Sequence, residues 1–172
     1  HDQAEALSMS DRIAVMSNGS ILQLGSPREI YLEPVSASVA RIAGNVNVLN
    51  GTIIDGTASS DETEVRLASG AVFRCRKSAS AKSTGDVEIV FRPELVNVAF
   101  GGATTDAGLG GTGGSVNTIS AKVGRIDFTG DHLKVEFETG DGPVTAKLAP
   151  DMALSKGGEA TLLVKAEHCV AQ

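Results

Sequence analysis

The residues of this 172-residue chain that are suited to chemistry are few and scattered. His1 opens the chain, with Asp2, Gln3 and Glu5 close behind. Residues 101–115 are rich in Gly, Thr and Ala and hold a GxGxxG register at Gly108, Gly110 and Gly113. That register binds a phosphate when a strand precedes it and a helix N-terminus follows it. Val116 onward reads as strand, so the run reads as a flexible loop between two β units. His132 and His168 have no second His or Cys at ligand spacing, and no metal site is expected. Arg92 with Glu94, and Lys165 with Glu167, are two base–acid pairs at the same spacing. They are candidates for holding a ligand or partner, although an exposed ion pair of little energetic weight is the default reading. Cys75 and Cys169 lie far apart with no CxxC spacing and read as reduced cytosolic thiols. No GxxxxGK[ST] phosphate loop occurs, so the chain alone is not expected to hydrolyse a nucleotide.

Composition narrows the classes further. Apolar residues make up 41 % of the chain, enough for a core, but aromatics are 3 % and Trp is absent. The core must therefore come from Val, Ile, Leu and Ala. A net charge of −6 argues against nucleic acid or an anionic membrane surface as a direct partner. No run of apolar residues is long enough to insert into a bilayer.

The first part of the chain mixes short helices and strands. Residues 3–10 read as a helix, with Asp2 as its cap. Residues 13–16 and 21–24 read as two strands joined at Asn18-Gly19, a pair that tolerates the positive φ of a tight hairpin. Ser26, Pro27 and Glu29 spell a helix start with a capping box. A second short helix is expected over 36–43, closed by Gly44.

From Asn45 onward, period-two alternation replaces helical periodicity. Strands are expected from Val46 to Ile54, over 63–67 and 71–76 around an Ala68-Ser69-Gly70 turn, and over 86–91. Pro93 lacks the N–H for a ladder and interrupts the last of these, with 96–100 reading as its continuation. The pattern then repeats. Gly85-Asp86-Val87-Glu88-Ile89-Val90-Phe91-Arg92-Pro93-Glu94 returns as Gly158-Glu159-Ala160-Thr161-Leu162-Leu163-Val164-Lys165-Ala166-Glu167. Val65-Arg66-Leu67 with Gly70 returns as Val135-Glu136-Phe137 with Gly140. Two similar β units in one domain are the natural reading. A strand over 118–128 starts the second unit, and its apolar parity shifts at Gly124, where a bulge is expected.

Two blocks resemble a known family. His1-Asp2-Gln3-Ala4-Glu5-Ala6-Leu7, Asp11-Arg12-Ile13, Asn18-Gly19, Gln23-Leu24-Gly25-Ser26-Pro27-Arg28-Glu29-Ile30-Tyr31 and Pro34 are similar to the last part of the nucleotide-binding domain of ABC-importer ATPases. Asn45-x-Asn47-x-Leu49-x-Gly51 and Val90-Phe91-Arg92-Pro93-Glu94 resemble the TOBE domain that follows it. The resemblance implies a mainly β fold, an OB-like TOBE barrel built from two similar units, preceded by a short α+β tail of a P-loop ATPase domain. It places the tail at residues 1–44 and the regulatory β domain at 45–172.

The resemblance makes His1 the switch histidine that reaches the γ-phosphate in the parent ATPase. As the first residue of this chain, His1 is expected to be non-functional here. ATP and Mg²⁺ are implied for the parent and no cofactor for this piece. Implied partners are permease subunits and a second copy, since Ile13, Val15, Ile21 and Leu24 of an orphaned tail would be exposed. No nucleic acid and no direct membrane insertion are expected, and the location is cytoplasmic, at the inner face of the membrane through the permease. The alternative is a free-standing protein that binds a small oxyanion such as molybdate, for which residues 1–44 have no evident use.

Overall fold

The computed structural model describes residues 3–54, 56, 61–78, 81, 83–100 and 115–172. His1 and the Gly108, Gly110 and Gly113 register lie outside the described residues. The chain opens with helix α1 (Gln3–Met9), followed by an antiparallel hairpin of β1 (Ile13–Ser17) and β2 (Ser20–Gly25). Asn18 and Gly19 form its turn at φ 49° and 77°, as their chemistry requires. Helix α2 (Pro27–Leu32) starts with a complete capping box: Ser26 accepts from the Glu29 backbone, and the Glu29 carboxylate accepts from the Ser26 N–H at 2.7 Å. Such a cap contributes about 1 kcal/mol. At α3 (Ala37–Ile42) the Ser36 hydroxyl accepts from the Val39 N–H, a one-sided cap. Val15, Ile30, Val39 and Ala43 form a small core under this layer, with Ile13, Tyr31 and Val35 packed against it. Val15 is therefore buried, contrary to the expectation of an exposed face, because α2 and α3 already cover it. Ile21 and Leu24 remain more than half exposed, as expected.

The rest of the described chain is strand. The first unit comprises β3 (Asn47–Ile53), β4 (Glu62–Leu67), β5 (Val72–Lys77) and β6 (Asp86–Phe91). Pro93–Leu95 then makes a single 3₁₀ turn, and β7 (Asn97–Phe100) follows. The second unit repeats this order: β8 (Val116–Phe128), β9 (Leu133–Thr139), β10 (Gly142–Leu148), β11 (Glu159–Lys165), a 3₁₀ turn at Ala166–His168, and β12 (Val170–Ala171). The bulge expected at Gly124 is present: Val123 pairs with Phe137 and Arg125 with Glu136, leaving Gly124 as the extra residue. A side chain there would start 2.9 Å from the Glu136 carbonyl, so only glycine lets the strands pass.

One expectation fails in an informative way. Residues 96–100 do not continue β6. The 3₁₀ turn at Pro93 redirects the chain, and β7 pairs antiparallel with β11 of the other unit. The reverse exchange occurs at the end of the chain. β12 leaves the second unit and inserts between β5 and β6, closing the barrel β12-β5-β4-β3-β6. Each unit is thus completed by the strand that follows the other. The second unit is an open sheet, β10-β9-β8-β11-β7, with Pro143 on its edge strand where a missing N–H costs no ladder bond.

Two buried asparagines reinforce this exchange with the same geometry. Asn47, at the start of β3, donates to the Thr145 carbonyl and accepts from the Thr145 N–H of β10, both at 2.8 Å. Asn117, near the start of β8, does the same with Arg74 of β5, again at 2.8 Å both ways. Each carboxamide acts as a peptide group and joins the first strand of one repeat to the third strand of the other. One continuous core, from Leu49 and Phe73 to Phe137 and Leu162, runs through both units.

The interlock carries a consequence for stability. Replacing Asn47 or Asn117 by Ala leaves a partly buried N–H and C=O of the facing strand unpaired, at a cost of about 1 kcal/mol each. Urea denaturation followed by circular dichroism is expected to show one transition for the wild type and for both variants, with similar losses. Two separate transitions would contradict the interlock.

Candidate functional site

The second 3₁₀ turn carries an ordinary surface pair: Lys165 Nζ lies 3.9 Å from Glu167, which is 63 % exposed. The corresponding position in the first repeat behaves differently. Arg92 is 4 % exposed and forms no ion pair with Glu94, so the exposed-pair reading fails for it. Its guanidinium enters the layer of α2 and α3. Nε and Nη2 donate to the Tyr31 carbonyl at 3.2 and 2.9 Å, and Nη1 donates to the carbonyls of Ala40 and Asn45 at 3.0 Å each. Tyr31 and Ala40 lie in the last turns of α2 and α3, where carbonyls lack helical partners and carry the negative end of the helix dipole. One cation therefore caps two helices and the segment leading into β3.

The same side chain stacks on Tyr31, with its guanidinium carbon 4.0 Å from the ring centroid. The Tyr31 hydroxyl donates to the Glu94 carboxylate. Arg92 and Glu94, two residues apart on opposite sides of Pro93, thus grip the two ends of one tyrosine. Burial, followed by the hydrogen bond to Glu94, pushes the Tyr31 phenol up to about 12. Burial also pulls the Arg92 guanidinium below its usual value, against the attraction of Tyr31 and Glu94.

Further barrel residues hold the α2–α3 connection. Arg76 of β5 donates from Nη2 to the Leu32 carbonyl at 3.2 Å and lies 3.5 Å from Glu33. Gln172 donates to the Pro34 carbonyl at 2.8 Å. Ala37 of α3 packs on Val90 and Val170, the outward-facing residues of β6 and β12. A cleft of about 530 Å³ remains between the layers, lined by Arg28, Tyr31, Glu33, Arg76, Arg92 and His168 among others. Burial pulls the His168 imidazole below its usual value, which favours its neutral form. Among the described residues no group of His, Cys, Asp and Glu is placed to hold a metal ion.

Sequence spacing singled out Arg92 and Glu94 but not their partner Tyr31, which lies sixty-one residues from Arg92. It also set the two cysteines apart, whereas the fold brings them together: Cys169 immediately precedes β12, whose register on β5 sets it beside Cys75 inside the barrel. Their positions just before β12 and within β5 carry no local signal, because only the strand exchange makes them neighbours.

Residues 89–171, from the middle of β6 through β12, match the TOBE domain family. The spermidine/putrescine import ATP-binding protein PotA of Mycoplasma capricolum is 37 % identical over 139 residues, covering 81 % of this chain and 34 % of that protein. The Fe(3+) ions import ATP-binding protein FbpC 3 of Rhodococcus jostii is 34 % identical over 151 residues, covering 86 % and 36 %. The chain carries a TOBE domain and is similar over most of its length to ATP-binding subunits of ABC importers. It spans about a third of the length of these relatives. Among solved structures, the cytoplasmic molybdate-binding protein ModG superposes with a TM-score of 0.59 at 16 % identity, covering 73 % of this chain and 94 % of that one. That likeness concerns the fold.

The tyrosine clamp is directly measurable, because Tyr31 is the only tyrosine and Trp is absent. Its raised value means that the folded state retains the phenolic proton more tightly than the unfolded chain. The clamp's contribution is complete below the ordinary tyrosine range near pH 10 and is lost as pH rises toward about 12. Near-UV absorbance titration is expected to show tyrosinate forming well above its onset in urea. In Glu94→Gln the onset moves down, because the charged acceptor is gone. An unchanged onset in that variant would show that Glu94 does not hold the hydroxyl.

Proposed function

We propose that residues 1–44 end the ATPase domain of an importer ATP-binding subunit and that residues 45–172 are its regulatory and dimerising β domain. The observation that supports this best is the Arg92 clamp. The turn that sends β7 into the second unit also caps the C-terminal ends of α2 and α3. Displacement of the barrel then pulls on two helices of the ATPase layer, and movement of that layer is felt in the barrel. Such a link suits a regulatory domain, whose role is to bias its neighbour.

The sequence lacks the glycine-rich loop with Lys and Ser/Thr that cradles phosphates, so ATP and Mg²⁺ belong to the remaining part of the subunit. His1 is proposed as the switch histidine of that larger protein. Met16, Ile21 and Leu24 are each more than half exposed, and Leu22 and Ile42 are partly so, on the face of the hairpin and the end of α3. A surface of this kind calls for a partner, and we assign it to the remainder of the ATPase domain. A second copy takes its place in the isolated chain, giving a homodimer. In the cell the subunit works at the cytoplasmic face through permease subunits; among the described residues no helix is long and apolar enough to cross a membrane. The cargo we place first is a polyamine or similar organic solute, on the 37 % identity to the polyamine importer subunit; the ferric-ion importer at 34 % represents the competing class.

A free-standing oxyanion-binding protein is the second reading, favoured by the fold likeness to ModG. A cleft of about 590 Å³ does present Ser120, Lys122, Thr139 and Thr161, but Glu138 and Glu159 line it too, and two carboxylates oppose an anion. Calorimetry with molybdate is expected to show no tight binding.

The deciding experiment uses the full-length subunit with its permease. Arg92→Ala leaves three carbonyls without their charged donor and is expected to loosen the barrel by about 3 kcal/mol. Uptake should fall sharply while basal ATP hydrolysis persists, and Arg92→Lys should restore only part, since an ammonium cannot reproduce the planar fork. Full uptake by Arg92→Ala would refute the coupling role.

A further inference from the structure

Cys75 lies on β5 and Cys169 immediately precedes β12, which pairs parallel with β5 in the register Val170 with Arg76. One step back along that register sets Cys169 beside Cys75, and the Arg76 N–H donates to the Cys169 carbonyl at 2.8 Å. Both side chains face the core, at 1 % and 0 % exposure. Both lie in the same buried cluster, and the neighbouring Cys169 together with burial pushes the Cys75 thiol up. Asn117 Nδ2 donates to the Cys169 sulfur at 3.3 Å. Asn117 also holds Arg74 at both its N–H and C=O, next to Cys75 in β5. The pair is therefore fixed from three sides at the seam where the last strand closes the barrel.

Neighbouring positions on paired strands fall within the Cα separation that a disulfide spans. We propose that Cys75 and Cys169 are a redox modification site, oxidised by hydrogen peroxide to a disulfide that staples β12 into the barrel. In the first step a thiolate attacks one peroxide oxygen, the O–O bond breaks, and a sulfenic acid and hydroxide form. In the second step the other sulfur displaces hydroxide from the sulfenic acid and the S–S bond forms. Two thiols and one peroxide give one disulfide and two waters, so the peroxide supplies the whole oxidising equivalent.

Access is gated by the strand itself. In the closed barrel the Cys75 thiol is held protonated by the neighbouring Cys169 and by burial, and a thiol is a poor nucleophile. β12 is only two residues long and is held by a few bonds, among them Ser78 N–H to the Ala171 carbonyl at 3.0 Å and the reciprocal Glu88–Gln172 pair at 2.9 and 3.2 Å. A strand held by so few backbone bonds opens locally at low cost. The site therefore reacts when β12 lifts and then holds it down. Val170 and Gln172 contact Ala37 and Pro34 of the helical layer, so the staple also fixes the strand on which that layer rests. This inference stands independently of the importer reading.

The test treats the reduced chain with hydrogen peroxide in native buffer for several hours. The expected product is a single covalent chain lighter by two hydrogens, whose non-reduced peptide map joins Cys75 to Cys169 and whose mass reverts with dithiothreitol. Because the bridge closes a loop of about 95 residues, the melting temperature should rise by roughly ten degrees. Cys75→Ser and Cys169→Ser should each show neither the mass loss nor the rise. Three outcomes would overturn the proposal: both thiols still titratable after treatment, sulfinic or sulfonic acids without a link, or a link only between two molecules.

Discussion

A β barrel has no edges only if its last strand finds both neighbours, and in this protein neither unit owns that strand. β6 and β11 each run into a 3₁₀ turn, and each turn delivers the chain to the opposite unit. Everything else in the β region is arranged around this trade. The single hydrophobic core spanning both units, the paired asparagines at Asn47 and Asn117, and the contact of the Ser69 turn with Asp141 at 2.6 and 2.7 Å all tie one repeat to the other. A small unit exposes much of its surface and is marginal alone. Sharing closing strands lets two such units bury what neither could bury separately.

The trade also explains where the buried arginine sits. A guanidinium withdrawn from water must keep its hydrogen bonds, and backbone carbonyls at helix ends are natural acceptors because the helix leaves them unpaired. The turn after β6 leaves the barrel wall at the point where α3 packs on Val90 and Val170. The first residue past the strand is Arg92, whose side chain therefore points into the layer above rather than into the barrel. In the second repeat the equivalent turn packs against β5 and lines the open cleft beneath α2 instead of entering the helical layer, and Lys165 there pairs with Glu167. The same sequence slot serves as a clamp in one repeat and as a surface ion pair in the other, and the neighbouring layer makes the difference.

Much of this architecture is legible in the residues. The capping box at Ser26 to Glu29, the Asn18-Gly19 turn, the alternation of each strand and the parity shift at Gly124 are local signals, and the structure carries each of them. The duplication is legible as well, because β6 and β11 keep the same order of acid, apolar and basic residues. Strand partnership is not. Residues 96–100 alternate as a continuation of β6 would, and nothing within that window distinguishes an extension from a departure to another sheet. The burial of Arg92, the pairing of the cysteines and the covering of Val15 all depend on partners distant in sequence. Periodicity reports which face of an element is apolar, but not which element covers it.

The two units also differ in a way that bears on how the layers communicate. The first closes fully, with β12 between β5 and β6, and so presents a continuous wall to α3. In the second, β7 and β10 do not pair among the described residues, and the Pro93–Leu95 turn lies beside β10. Glu94 in that turn reaches Lys147 of β10 at 4.0 Å while accepting from the Tyr31 hydroxyl. Arg92 ties α2 and α3 to the closed unit, and Glu94 ties Tyr31 to the open one. In the closed unit the equivalent 3₁₀ turn, Ala166–His168, likewise lies against the third strand, β5, so the turn keeps this place whether or not the strands close. Through Arg92 and Glu94, the turn and the residue before it touch the helical layer and both β units at once.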